Sequence, residues 1–400
     1  MGPHPLLLEW LGALARWVHV LAAIMWIGDS LLFMWMDASL EPSRRPREGD
    51  VAGEMWMVHS GGFYEVVKRR SLRPEDMPPN LYWFMWPSYS TWISGVFLLV
   101  VVYWLGGGAL LVESGSRLTQ GAAVGVSAAA LLAGWLVYDA ACRSPLAKRP
   151  RLLAALLVFV LAAAVFGLTR VFGARAAWLQ TGAMLGTIMT ANVAHVIIPG
   201  QRKMLAQTRA GVPVDTAPGK LAKARSTHNH YLTLPVLFMM LSQHFPSGYG
   251  HPLGWLVLLL MSVAGVALKY VMNFRTRSDW RAVTAGALAL VAAVVLTARP
   301  GVGGTAVAST VRATVSDAQA LAIVERRCTT CHAEKPSNPS FPEPPAGVKL
   351  DGLERLRAMA PRVQVRAIDT RTMPLGNLTG MTDAERDTLA AWLAGLTGSR

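Results

Sequence analysis

The sequence predicts an all-α protein, a polytopic eight-helix transmembrane bundle followed by a small soluble helical domain. Three observations predict it. Of 400 residues, 52% are hydrophobic and only 16% charged, with mean hydropathy +0.35, too apolar for a soluble chain of this length. Apolar runs recur along residues 10–298, each near the ~20 residues needed to cross the hydrocarbon core as a helix. Beyond Pro300 the composition changes, and two helix-start signatures bracket a polar, Pro-containing stretch.

The first run, 10–36, is too long for a signal-peptide core and reads as a retained span. Runs at 88–105, 121–141, 152–169 and 178–199 follow, and 229–245, 252–272 and 281–298 complete the set. The sixth is the weakest, being short and carrying Pro235. Fourteen Trp and eight Tyr suit rings at a membrane interface. These runs make 1–299 a membrane domain. The stretch GVGGTAVAST within 300–312 reads as a flexible linker, and 313–400 as a soluble domain. In that domain Ser316-Asp-Ala-Gln319 and Thr382-Asp-Ala-Glu385 read as capping boxes. The second opens a closing helix with Leu389, Trp392 and Leu393 at helical spacing.

The motif CTTCH, Cys328 to His332, gives the soluble domain its chemistry. C-x-x-C-H is the attachment signature of a c-type haem, in which two thiols bond the porphyrin edge and the adjacent His takes the iron. A redox dithiol or a zinc half-site are the bland alternatives, and the directly following His argues against both. His332 and a thioether are the expected iron ligands, as in a class I cytochrome c. Met373, before Pro374 in the loop-like TMPLGN, is the first candidate; Met381 is second, and Met359 reads as core. The only other cysteine is Cys142, so a disulfide framework is excluded.

Haem is attached to such motifs outside the cytoplasm, so this domain is expected in the periplasm. Eight spans then place both termini there, in a bacterial inner membrane. Charge tests this independently: the four loops assigned to the cytoplasm (37–87, 142–151, 200–228, 269–281) carry 21 Lys and Arg, and the three periplasmic loops carry 3. Orientation therefore accounts for the net charge of +14, and no nucleic-acid partner is needed.

A tethered cytochrome c is a port, and the bundle should supply its electrons. A hydrocarbon core of about 30 Å is too thick for one efficient electron step, so a relay such as haem b is expected inside it. Ionisable groups in a membrane are costly and usually functional. His19, His244 and His228 are the candidate cofactor ligands, while His4 and His251 read as loop residues. The stripe Met34, Met36, Met55 and Met57 reads as packing rather than copper ligation.

Longer segments carry a resemblance. RWVHVLAAIMWIGDSLLFMWMDASL, GEMWMVHSGGFYEVVK, LYWFMWPSYSTWISGVFLLVVVYWL, GWLVYD, ANVAHVIIPGQRK and HNHYLTLPVLFMMLSQHFP resemble the bacterial membrane-bound urate oxidases. That family joins an eight-span domain to a C-terminal cytochrome c. The resemblance implies oxidation of urate to 5-hydroxyisourate, with electrons leaving through cytochrome c to a respiratory cytochrome or terminal oxidase. The family pattern carries an aromatic residue at position 195, which sets His195 below the other histidines. Urate, a flat anion rich in N–H and C=O groups, needs a cation, amide-type partners and an aromatic face. His59, Arg202, Asn229 and Tyr231 at the cytoplasmic side are the expected catalytic set. Arg202 is also an ordinary positive-inside anchor. A membrane cytochrome fed by quinol rather than urate is the alternative.

Overall fold

The computed structural model describes residues 5–105, 111–112, 116–274, 279–298, 315–338, 341 and 343–397. The linker expected at 300–312 lies outside them.

Among the described residues, eight long helices form the N-terminal unit. They are α1 (Pro5–Ala38), α2 (Trp86–Leu98, extended by a π turn at Leu99–Trp104), α3 (Gln120–Arg143) and α4 (Pro150–Val171). Next come α5 (Ala174–Asn192), which runs through a π turn at Val193–Ile197 into α6 (Ile198–Arg209), and α7 (Ala217–Leu241). The short α8 (Pro246–Tyr249) precedes α9 (Gly254–Asn273) and α10 (Trp280–Ala298). Seven of these stretches are long and apolar enough to cross a membrane. The eighth, α7, begins at Ala217 rather than 229 and falls short because its apolar part is brief, between the polar run Arg225–His230 and its end at Leu241.

Short connections make neighbours antiparallel, giving the bundle a basic end (residues 39–85, 144–149, 210–216) and an opposite end (172–173, 242–253). Small residues set the helix contacts. A Cβ on Gly182 of α5 would meet Met239 and Met240 of α7 at 3.0 Å, and one on Gly286 of α10 would meet Ala267 of α9 at 2.5 Å. Pro235, the feature that weakened the sixth run, is buried inside α7 against Gly265 of α9.

The all-α expectation misses one element. At the basic end β1 (Val51–His59) and β2 (Gly62–Arg69) pair antiparallel, with His59 opposite Gly62. Ser60 and Gly61 between them both have positive φ, 52° and 76°, the backbone a two-residue hairpin turn requires. Glu54 anchors the hairpin, accepting from the Arg44 backbone N–H (3.0 Å) and from Arg47 Nε (2.7 Å).

The C-terminal unit has its own core of Ile323, Val324, Leu356, Leu389, Trp392 and Leu393. Its helices are α11 (Asp317–Arg327), α12 (Thr329–His332), α13 (Leu353–Ala358), α14 (Ala360–Val363) and α15 (Asp383–Thr397). Both capping boxes form: Ser316 Oγ accepts from Gln319 N–H at 3.3 Å and Thr382 Oγ1 from Glu385 N–H at 3.2 Å. Glu385 also accepts from Arg327 Nε at 3.0 Å, tying α11 to α15. The Thr382 backbone N–H, and after it Arg327, hold the Glu385 carboxyl below its usual range. A lowered carboxyl adds stability above its unfolded pKa of about 4.3, which is lost as pH falls through the folded value. Glu385→Gln should therefore lower the resistance of this unit to proteolysis at pH 7, with wild type and variant converging in acid. An equal gap at pH 7 and pH 3 would show that the effect is not one of charge.

The two units touch at the opposite end of the bundle. Arg366 Nη1 lies 3.5 Å from the Tyr249 hydroxyl, and a Cβ on Gly250 would strike Thr370 at 2.6 Å.

Candidate functional site

Three arrangements of polar side chains occupy the bundle, and α7 contributes to each. Its residues Arg225, His228 and Asn229 are three or four apart, so they share one helix face. That face meets α3 and α5 at the basic end.

Arg225, 1% exposed, is the centre of the first arrangement. Its Nη2 donates to Asp139 Oδ1 at 2.6 Å, its Nη1 to Asn192 Oδ1 at 3.4 Å, and its guanidinium lies 4.9 Å from the Tyr138 ring centre. Asn192 Nδ2 donates to Tyr138 Oη (3.1 Å) and to Asn229 Oδ1 (2.8 Å), and Asn229 Nδ2 donates to the Met189 carbonyl (2.8 Å). Because Tyr138 Oη already accepts from Asn192, its own hydrogen is free to reach His228 Nδ1 at 2.8 Å. Low dielectric strengthens each bond and raises the cost of any left unmade. Arg225 Nε is buried without a partner among the described residues. The first π turn after α5 begins one residue beyond Asn192, a local widening that often accompanies functional sites.

In the second arrangement His230 bridges three helices. Its Nδ1 lies 3.1 Å from Ser30 Oγ of α1 and its Nε2 2.7 Å from Asn273 Oδ1 of α9. Lys269, one turn before Asn273, is fully buried, and its Nζ has no hydrogen-bond partner among the described residues.

The third arrangement is a cavity of about 470 Å³ between α1, α2, α5 and α7, within the size range of ligand sites. Asn229 and Ser30 line it toward the basic end, His19 its wall, and Gln243 and His244 its other end.

The expected catalytic residues are dispersed. His59 is exposed at the hairpin tip, and Arg202 is exposed on α6 with its guanidinium 5.8 Å from the Trp83 ring centre. Asn229 is buried in the Arg225 network, whereas Tyr231 stacks edge-on against His230 at 5.7 Å. No hydrogen bond, ion pair or ring contact joins these four among the described residues. Of the expected cofactor ligands, His19 and His244 line the cavity, and His228 is instead bonded to Tyr138. His195 is exposed on the π turn, 6.0 Å from Trp135. Arg225 and Lys269, counted in the sequence as loop charges, are buried in helices. The spacing of Arg225 to His228 and Asn229 was the available signal for the first of them.

In the C-terminal unit, Cys328 closes α11 and His332 N–H returns to the Cys328 carbonyl at 2.9 Å, so the motif forms one tight turn. Both cysteines are free thiols, and burial pushes the Cys328 thiol up to about 12. His332 Nδ1 donates to the Val348 carbonyl at 3.0 Å, which leaves Nε2 as the bare ring nitrogen. Met359 and Met381 pack into the core, while Met373 is half-buried outside it. The Met373 backbone is held on both sides, by Arg366 O (2.9 Å) and Arg386 Nη1 (2.9 Å). Among the described residues no group of three His, Cys, Asp or Glu could hold a bare metal ion.

The fold defines a protein of membrane-length apolar helices around a buried polar network, carrying a C-x-x-C-H unit at its C-terminus. Residues 5–298 match the family described as urate oxidase N-terminal, and the chain belongs to that family. No curated protein and no solved structure matches it.

Proposed function

We propose that this chain is a membrane-bound oxidoreductase that oxidises urate to 5-hydroxyisourate and passes the electrons out through a covalent haem in its C-terminal unit. The observation that carries the reading is family membership across the whole bundle, joined in one chain to a folded C-x-x-C-H unit. The chemistry balances: urate and one water become 5-hydroxyisourate, two protons and two electrons. Dioxygen is not consumed by this chain and is left to a separate oxidase.

The residues present fit a haem c. Cys328 and Cys331 are neutral thiols one turn apart, suited to thioether bonds rather than to gripping a bare metal as thiolates. The Val348 carbonyl fixes the His332 tautomer with Nε2 available for iron. Met373, the one methionine of the three outside the core, is the residue that would hold the iron together with His332. Held there by Cys328, Cys331, His332 and Met373, a haem would supply one-electron redox chemistry.

At the basic end, Arg225, ion-paired with Asp139, stands beside the Asn192 and Asn229 amides, with the Tyr138 ring as an aromatic face. These are the partner types a flat, polar anion needs, and His228 can hold a released proton. The basic end faces the cytoplasm and the C-terminal unit the periplasm, where a respiratory cytochrome or terminal oxidase accepts the electrons. Urate added anaerobically to the oxidised full-length protein should reduce the haem c band. A protein that stays oxidised with urate yet is reduced by quinol would make it a quinol-linked cytochrome instead.

A further inference from the structure

The cavity between α1, α2, α5 and α7 is walled mainly by apolar side chains. Val20, Ile24, Leu99, Val102 and Val236 line it, and a polar ring set against these aliphatic side chains would lose partners there. A flat apolar macrocycle with one metal and a few charged edge groups suits such a surface.

One group on this wall is oriented for a metal. His19 Nδ1 lies 3.0 Å from the Thr91 carbonyl and 3.0 Å from Ser94 Oγ. The Ser94 hydroxyl donates its own hydrogen to Ser90 O at 2.6 Å, so both neighbours of Nδ1 are acceptors and Nδ1 carries the proton. His19 Nε2 is therefore a bare lone pair, and it makes no hydrogen bond among the described residues. His332 has the same arrangement, with Nδ1 spent on a carbonyl. The ring lies against Gly95, where a Cβ would come within 2.9 Å of His19 Cε1. At the end nearest the C-terminal unit the cavity is bordered by His244 and by Arg16, one turn before His19.

We propose that this cavity holds a non-covalent haem, bound through His19 Nε2, with His244 as the second imidazole and Arg16 beside the propionates. The site gives electrons a stop between the polar network and the turn that touches the C-terminal unit, and in this purpose it rests on the function proposed above.

The test counts haem and uses no urate. Full-length protein purified in detergent should yield one non-covalent haem for each covalent one in a pyridine haemochrome assay. His19→Gly should lose the non-covalent haem, keep the covalent one, and regain the first with its reduced-state absorption when imidazole is added. Gly186→Leu should also empty the site with His19 in place, because a Cβ at Gly186 meets nothing within 4 Å and the added side chain would project into open space. Wild-type protein holding covalent haem alone overturns the proposal, as does a His19→Gly variant with full haem b and an unshifted spectrum. A protein with both haems that ignores urate would instead sink the urate reading and leave this one standing.

Discussion

Replacing Cys328 and Cys331 together by Ser should abolish urate-dependent reduction of any external one-electron acceptor. No thioether can then form, and His332 alone is one weak tether for a porphyrin in a half-exposed turn. The bundle has a separate core and should still insert, so the loss is one of output rather than of expression. His332→Ala provides the contrast. There the covalent bonds survive and the iron loses its imidazole, so a denaturing gel stained for haem should remain positive while electron output falls to background. Either variant reducing an external cytochrome at the wild-type rate would show that electrons leave by another route.

Asp139→Ala should destabilise the bundle by roughly 3–5 kcal/mol, the usual result of removing one partner from a buried ion pair. The cost arises because Arg225, 1% exposed, would keep its charge with only the 3.4 Å contact to Asn192 and the Tyr138 ring to offset desolvation. Replacing both charges by apolar residues of similar volume, Asp139→Leu with Arg225→Met, should restore most of that stability. The double variant then separates structure from chemistry. Its thermal unfolding midpoint in detergent should approach wild type while urate-driven haem reduction stays absent. Recovery of both would demote the pair to a structural role.

Much of the fold was legible because membrane-length apolar runs and capping boxes are local signals. The hairpin was missed because Met and Trp in β1 blend with the neighbouring apolar helices, although Ser60-Gly61 between two alternating runs is a turn signal. The start of α7 was placed too late for a related reason. Its first turns are polar and pack against α6, Pro218 on Gly200 and Gly219 on Met204, before Arg225 and Asn229 reach α3 and α5. The site was legible by residue type and not by partner. THNHY announces its histidines and amide, but pairing them with Tyr138, Asp139 and Asn192 needs long-range contacts that periodicity does not encode. Loop counting also assigned Arg225 and Lys269 to solvent, since a charge just outside an apolar window reads as an anchor whether or not the helix continues through it.

The contact of Arg366 and Thr370 with Tyr249 and Gly250 has a kinetic consequence. Its two sides belong to one chain, so their association is unimolecular and their effective concentration is of millimolar order for a short tether. A handful of atoms is then enough to keep the docked arrangement populated, where two separate molecules would need a far larger interface.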